Sequence, residues 1–143
     1  AKAERLDDGA NDYRFFDFDQ THILTLVASY RLPRNWEIGI RWRLVSGNPF
    51  TPVEDSIFDS DFDRFDPIPG AVNSSRLPAF HQLDVRIDKR WIYQSWMLNA
   101  YLDIQNIYNR ANAEGPNYNF DYSDSQYRQG LPIATILGLR AEF

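Results

Sequence analysis

Five stretches of the chain alternate apolar and polar side chains with a period of two, the spacing that sends neighbours to opposite faces of a β-strand. In residues 21–31, Leu24, Leu26, Ala28 and Tyr30 share one face, with Thr25, Ser29 and Arg31 opposite. In 36–46, Trp36, Ile38, Ile40, Trp42 and Leu44 oppose Glu37, Arg41 and Arg43. In 81–91, Leu83, Val85, Ile87 and Trp91 oppose Asp84, Arg86, Asp88 and Arg90, and Lys89 is the one charge on the apolar side, near a strand end from which it could snorkel to a polar boundary. In 95–109, Trp96, Leu98, Ala100, Leu102, Ile104 and Tyr108 oppose Asn99, Tyr101, Asp103 and Gln105. The last stretch, 131–143, puts Ile133, Leu137, Leu139, Ala141 and Phe143 on one side. No stretch sustains a helical period, so the pattern predicts an all-β, antiparallel fold.

The connections alternate in length. Residues 32–35 and 92–94 read as tight turns, whereas 47–80 and 110–130 are long and rich in Asp, Asn, Pro, Ser and Tyr. In an up-and-down sheet this puts tight turns at one end and long loops at the other. Loops beyond about 15 residues are uncommon in compact soluble domains, but this asymmetry is usual in outer-membrane barrels. The apolar-face residue nearest the short-turn end is, strand by strand, Tyr30, Trp36, Trp91, Trp96 and Phe143. Five rings at one height predict an interfacial aromatic girdle.

Composition sharpens this picture. The net charge of -5 and pI near 4.9 give no basic face for nucleic acid. Residues 1–20, 47–80 and 110–130 carry fifteen acids against seven bases, whereas the strands and turns carry five against eight. The acidity belongs to the loops. With no Cys there is no disulfide framework, thiol nucleophile or Cys-ligated zinc. No apolar run approaches the roughly 18 residues of a membrane-spanning helix, and AKAERLDDGA lacks the basic start and apolar stretch of a signal peptide. A β-barrel shows neither feature.

DQTHILTLVASYRLPRNWEIGIRWRLVSGNPFTPV (19–53), RLPAFHQLDVRIDKRW (76–91), YLDIQNIYNR (101–110) and the terminal LGLRAEF resemble the C-terminal end of TonB-dependent outer-membrane receptors. The likeness covers most of 19–143, and its most telling parts are the penultimate strand with Asn106 and its Tyr108-Asn109 ending, and the terminal strand closing on Phe143. It implies a transmembrane barrel of about 22 strands with an N-terminal plug, importing siderophore-bound iron, cobalamin or a glycan with energy passed on by TonB. This chain would supply the last five strands, its C-terminus periplasmic and residues 1–20, 47–80 and 110–130 external. The implied partners are the plug and upstream strands, TonB through an N-terminal part, the barrel-assembly machinery at the terminal strand, and lipopolysaccharide. Nothing here resembles the plug or the box that TonB grips, so the expectation is the C-terminal portion of a longer receptor. Arg41, Arg43, Asp84, Arg86, Asp88 and Asp103 would face the lumen. An adhesion barrel without TonB coupling and a soluble β-sandwich are the alternatives.

Other chemistry is sparse. Asp59, Asp61 and Asp63 have the D-x-D-x-D start of a calcium loop, but Arg64 stands where such a loop needs Gly and Gly70 where it needs Glu. His22 and His81 are the only histidines, and His81 and Asp84, three apart in a strand, point to opposite sides and cannot form a catalytic pair. We expect no enzyme and no cofactor. The loop 114–130 interleaves Tyr118, Tyr122 and Tyr127 with Asn117, Asn119 and Asp121, a composition suited to stacking on and hydrogen bonding to a sugar or chelate. GNPFTP (47–52) reads as a strand end, since Pro49 and Pro52 stop ladder pairing.

Overall fold

The computed structural model describes residues 2–6 and 13–143, so part of the segment 1–20, expected to be external, lies outside the described residues, at 1 and 7–12. Regular structure among them is β throughout, apart from one short 3-10 turn at Pro33–Asn35. In chain order the strands are β1 (Glu4–Arg5), β2 (Arg14–Phe15), β3 (Ile23–Leu32), β4 (Trp36–Val45), β5 (Pro49–Phe50), β6 (Val53–Asp59), β7 (Arg64–Pro69), β8 (Ser75–Arg76), β9 (Phe80–Ile92), β10 (Met97–Gln105), β11 (Ala113–Tyr118), β12 (Ser125–Gln129) and β13 (Ala134–Glu142). The chain forms two compact units, one of residues 24–44, 81–111 and 131–143, the other of 1–23, 45–80 and 112–130.

The first unit is built on a five-stranded sheet in the order β13-β10-β9-β4-β3, so each long strand lies beside the next in the chain. This is an up-and-down meander, and it is open: β3 and β13 are edges. The antiparallel register places Leu98 opposite Trp91 and Ala141, Ala100 opposite Lys89 and Leu139, and Leu102 opposite Ile87 and Leu137. The intervening positions pair Asn99 with Arg90 and Arg140, Tyr101 with Asp88 and Gly138, and Asp103 with Arg86 and Ile136. Directly opposed residues share a face, so the period-two pattern of each strand sums to one apolar and one polar face. The β3–β4 turn sets Arg34 and Asn35 at φ of 62° and 59°, the two successive positive angles of the turns that best match strand twist.

One sequence expectation changes here. The fourth strand stops at Gln105 rather than running to Asn109, because Asn106 and Asn109 take φ of 53° and 51° and break the ladder. The Asn106 side chain then closes the turn: its amide donates to the carbonyls of Arg110 (2.9 Å) and Leu131 (3.1 Å), and its oxygen accepts from the Arg110 N–H (3.0 Å). Asn109 accepts from the Ile133 N–H at 2.9 Å. The NIYNR ending is therefore a clamp leading into the last strand.

The second unit corrects the reading of 47–80 and 110–130 as long loops. They carry the pairs β5–β8, β6–β7 and β11–β12, and the described part of 1–20 carries β1–β2. Pro49 does not end pairing: it stands opposite Arg76, with the Asn48 carbonyl accepting from the Leu77 N–H at 3.0 Å. Gly47 is required there, since a Cβ would run into the Leu77 backbone. These short ladders escaped a period-two reading because their two sides are similarly exposed, as the pattern of β6 (VEDSIFD) illustrates.

Burial is inverted relative to a soluble domain. Among the described residues no aliphatic or aromatic side chain is buried; apart from Pro49, the buried residues are the polar Asp19, Asn73, Asp84, Asn106 and Asn112.

Candidate functional site

The polar face of the sheet is organised by Asp84. Its Oδ2 accepts from Arg41 Nε (3.0 Å) and Nη2 (2.8 Å), and its Oδ1 accepts from the Gln82 amide (2.6 Å) and the Asn106 backbone N–H (3.0 Å). One carboxylate thus ties β4, β9 and the end of β10. Arg43 donates to Gln82 at 3.2 Å, extending the same row. Towards the short turns, Arg86 pairs with Asp88 (2.8 Å) and lies 4.2 Å from the centre of the Tyr101 ring. Tyr101 in turn covers Gly138, where any Cβ would strike the ring. A glycine in an edge strand is here filled by its neighbour's aromatic. The sequence-derived set Arg41, Arg43, Asp84, Arg86, Asp88 and Asp103 thus shares a face, together with Tyr101 and the pair Glu37–Arg90 (2.7 Å), which the alternation also put on that side, and with Gln82, which the sequence reading did not single out. A depression of about 280 Å³ opens over Gly39 among Ser29, Arg41, Asp84, Arg86 and Asp103.

On the other face the apolar side chains are uncovered. Leu26, Leu137 and Leu139 are 55%, 75% and 73% exposed. The aromatic row is joined by two residues that sequence reasoning did not place in it. Tyr93 stacks on Trp96 (4.5 Å), which stacks on Phe143 (6.0 Å). Lys89 lies over the Trp36 and Trp91 rings at 5.2 and 5.6 Å, and its Nζ donates to the Arg34 carbonyl. Tyr30, at the β3 edge, is 70% exposed.

In the second unit, the β6–β7 and β11–β12 hairpins are joined by the Val53 N–H donating to Tyr118 Oη (3.0 Å), by Ser56 Oγ donating to the Asp121 carbonyl (2.6 Å), and by Phe65 edge-on to Phe120 (5.6 Å). Beside this junction lies a cleft of about 550 Å³ lined by Arg64, Phe65, Asn117, Tyr118, Asn119, Phe120 and Tyr122. Four of the six residues singled out from sequence come together here, while Asp121 and Tyr127 do not line it. Tyr127 stands opposite Pro116 in the ladder. Asp121 is held by its own turn, accepting from the Ser123 hydroxyl (2.6 Å) and N–H (3.1 Å), and those bonds keep its carboxyl below the usual carboxylate range. Arg64, Phe65 and Phe120 were missed. The first two sit in a hairpin more than fifty residues away in the chain, and no local signal could have found them.

The same unit is fastened at its base by buried polar groups. Asp19 accepts from the Arg76 guanidinium, the Ala3 N–H (2.5 Å) and the Thr21 hydroxyl (2.9 Å), and the Arg76 bond foremost, then the Ala3 N–H, hold its carboxyl down to about 2. Asn73 donates to the Phe15 carbonyl (2.8 Å) and to Asp17 (2.6 Å).

The remaining sites are plainer. Asp59, Asp61 and Asp63 at the β6–β7 tip do not gather: among the described residues no group of three acidic or histidine side chains is placed to hold a metal ion. Asp59 instead accepts from the Asp61 N–H at 2.9 Å. His81 Nδ1 meets Tyr108 Oη at 2.8 Å, with Asp84 engaged elsewhere, and the His22 N–H donates to Ser46 Oγ at 3.1 Å. No family model, curated protein or solved structure matches the chain.

Proposed function

We propose that this chain is part of the wall and external surface of a TonB-dependent outer-membrane receptor, which captures a scarce nutrient outside the cell and imports it into the periplasm. The observation that carries the reading is the five-stranded sheet with one continuous apolar face that nothing covers and a charged, hydrogen-bonded face behind it. Covering a Leu is worth about 1.5–3 kcal/mol. A face this large left in water would drive association, whereas lipid satisfies it. A bilayer also demands that backbone groups be paired and edges closed, so further strands would continue the wall beyond β3 and β13. Strands of nine to thirteen residues, tilted by about 45°, reach roughly 20–30 Å, the height of an outer-membrane apolar band. A sandwich would have buried the apolar face.

In this reading the polar face around Asp84 and Arg86 lines the lumen and meets the plug, and the C-terminus is periplasmic. The hairpins of 47–80 and 112–130 are external. Their cleft, with exposed Phe120, the amides of Asn117 and Asn119, and the Arg64 cation, offers stacking and hydrogen bonds to a ring-bearing polar ligand such as a sugar or chelate.

The chain itself lacks Cys, so once any cysteine elsewhere in the full-length protein is replaced by Ser, single cysteines can be read out in outer membranes. A charged, water-borne thiol reagent should label Ser29→Cys, Asn99→Cys and Arg140→Cys much faster than Leu26→Cys, Leu102→Cys and Leu139→Cys. Equal labelling of the two sets would end the proposal of a membrane wall. A gene lacking a plug-encoding segment upstream would transfer the chain to an adhesion barrel.

A further inference from the structure

Among the described residues of the five-stranded sheet, Lys89 is the one Lys, Arg, Asp or Glu at an apolar-face position. The register sets it opposite Ala100, a small residue that leaves room for the lysine stem. Its ammonium lies between two indoles, 5.2 Å from Trp36 and 5.6 Å from Trp91, and is tied to the Arg34 carbonyl of the β3–β4 turn. The acid adjoining this cluster, Glu37, is committed on the opposite face to Arg90 (2.7 Å) and Arg31 (3.6 Å). Lys89 is therefore a cation held on the outer face with no carboxylate assigned to it.

A lysine facing lipid is costly at mid-bilayer and nearly free at the boundary, so this position belongs where the headgroups begin. An ammonium has three donors. Arg34 takes one, leaving two for an outside acceptor, and each indole N–H can add another. Arg34 itself, exposed in the turn, contributes a second positive charge. A phosphate oxygen meets these donors well. A zwitterionic headgroup brings its own ammonium into the same field and is disfavoured.

We propose that Lys89, flanked by Trp36 and Trp91, binds the phosphate of an anionic phospholipid in the leaflet at the short-turn end of the sheet. This rests on the membrane-wall reading above. Trp36, Trp91 and Trp96 lie at the short-turn end of the apolar face, so with Trp42 and any Trp elsewhere in the full-length protein replaced by Phe, their fluorescence reports which lipids touch that end. The full-length protein would be reconstituted in zwitterionic vesicles doped with chain-brominated phosphatidylglycerol or, at equal mole fraction, chain-brominated phosphatidylethanolamine. The glycerol lipid should be enriched about fivefold at the Trp sites, the equivalent of about 1 kcal/mol for one lysine at an anionic surface. In Lys89→Gln, which removes the ammonium and keeps an N–H donor on a side chain one atom shorter, the ratio should fall close to one. Inorganic phosphate in the buffer should leave the wild-type ratio unchanged. Equal quenching by the two lipids in the wild type, a preference that survives in Lys89→Gln, or loss of the preference to free phosphate would each overturn the site. Absence of quenching by any brominated lipid would instead overturn the membrane wall itself.

Discussion

Replacing Asp84 by Ala removes the acceptor for three donors at once, and the structure says how unequal those losses are. The Asn106 backbone N–H, bonded at 3.0 Å, belongs to a residue only 2% exposed, so water cannot replace the lost partner. A buried donor left unmade costs about 1–3 kcal/mol. The Arg41 guanidinium is 48% exposed and can turn to solvent, so its lost pair contributes only about 0.5–1 kcal/mol. Gln82 retains its contact with Arg43 and adds little. The sum, about 1.5–4 kcal/mol, is local to the clamp at the end of β10. It should appear as faster hydrogen exchange at the amides of Asn106 and Arg110 in the reconstituted full-length protein, by a factor of about 10 or more at the lower bound. Asp84→Asn keeps an oxygen for the Asn106 N–H but loses the charge and sets an NH2 where Oδ2 accepted from Arg41, whose half-exposed side chain can turn to solvent, so its effect should stay within about 1 kcal/mol. Exchange at Asn106 within threefold of wild type in Asp84→Ala, or an Asn variant as damaged as the Ala variant, would refute the assignment of Asp84 as the hub.

Two further outcomes follow from single contacts. Gly138→Val should destabilise the β10–β13 pairing by about 1–3 kcal/mol, because the new Cβ collides with the Tyr101 ring. Combining it with Tyr101→Ala should recover part of the loss in thermal unfolding, and strict additivity would show that the ring is not the obstacle. Asp19, whose carboxyl is held down to about 2, contributes stability that is fully present above its ordinary pKa near 3.8 and is lost as pH falls through about 2. Limited acid proteolysis of residues 13–22 should therefore accelerate between about pH 4 and pH 2 in the wild type and be nearly flat over that window in Asp19→Asn.

The all-β class was legible because the sheet is a single layer with one apolar and one polar face. That makes every long strand repeat the same alternation, from Trp36–Ile38–Ile40 to Leu98–Ala100–Leu102, and alternation needs no knowledge of partners. The row Tyr30, Trp36, Trp91, Trp96 and Phe143 followed from counting back from the short turns. The pairs β6–β7 and β11–β12 were not legible, since similarly exposed sides print no period, and the strand end at Gln105 was hidden because left-handed Asn residues look, in sequence, like any others. Which polar residue would be buried was likewise beyond the sequence: Asp84 finds Arg41 across 43 positions and Asn106 across 22. So was the seat of Lys89, which read as a lone exception on an apolar strand until the β3–β4 turn brought Trp36 and the Arg34 carbonyl beside it. The chain by itself determined which faces are apolar, because that is a local property of spacing. Only the tertiary structure decided which side chains meet, because that depends on register and on where the turns return the chain.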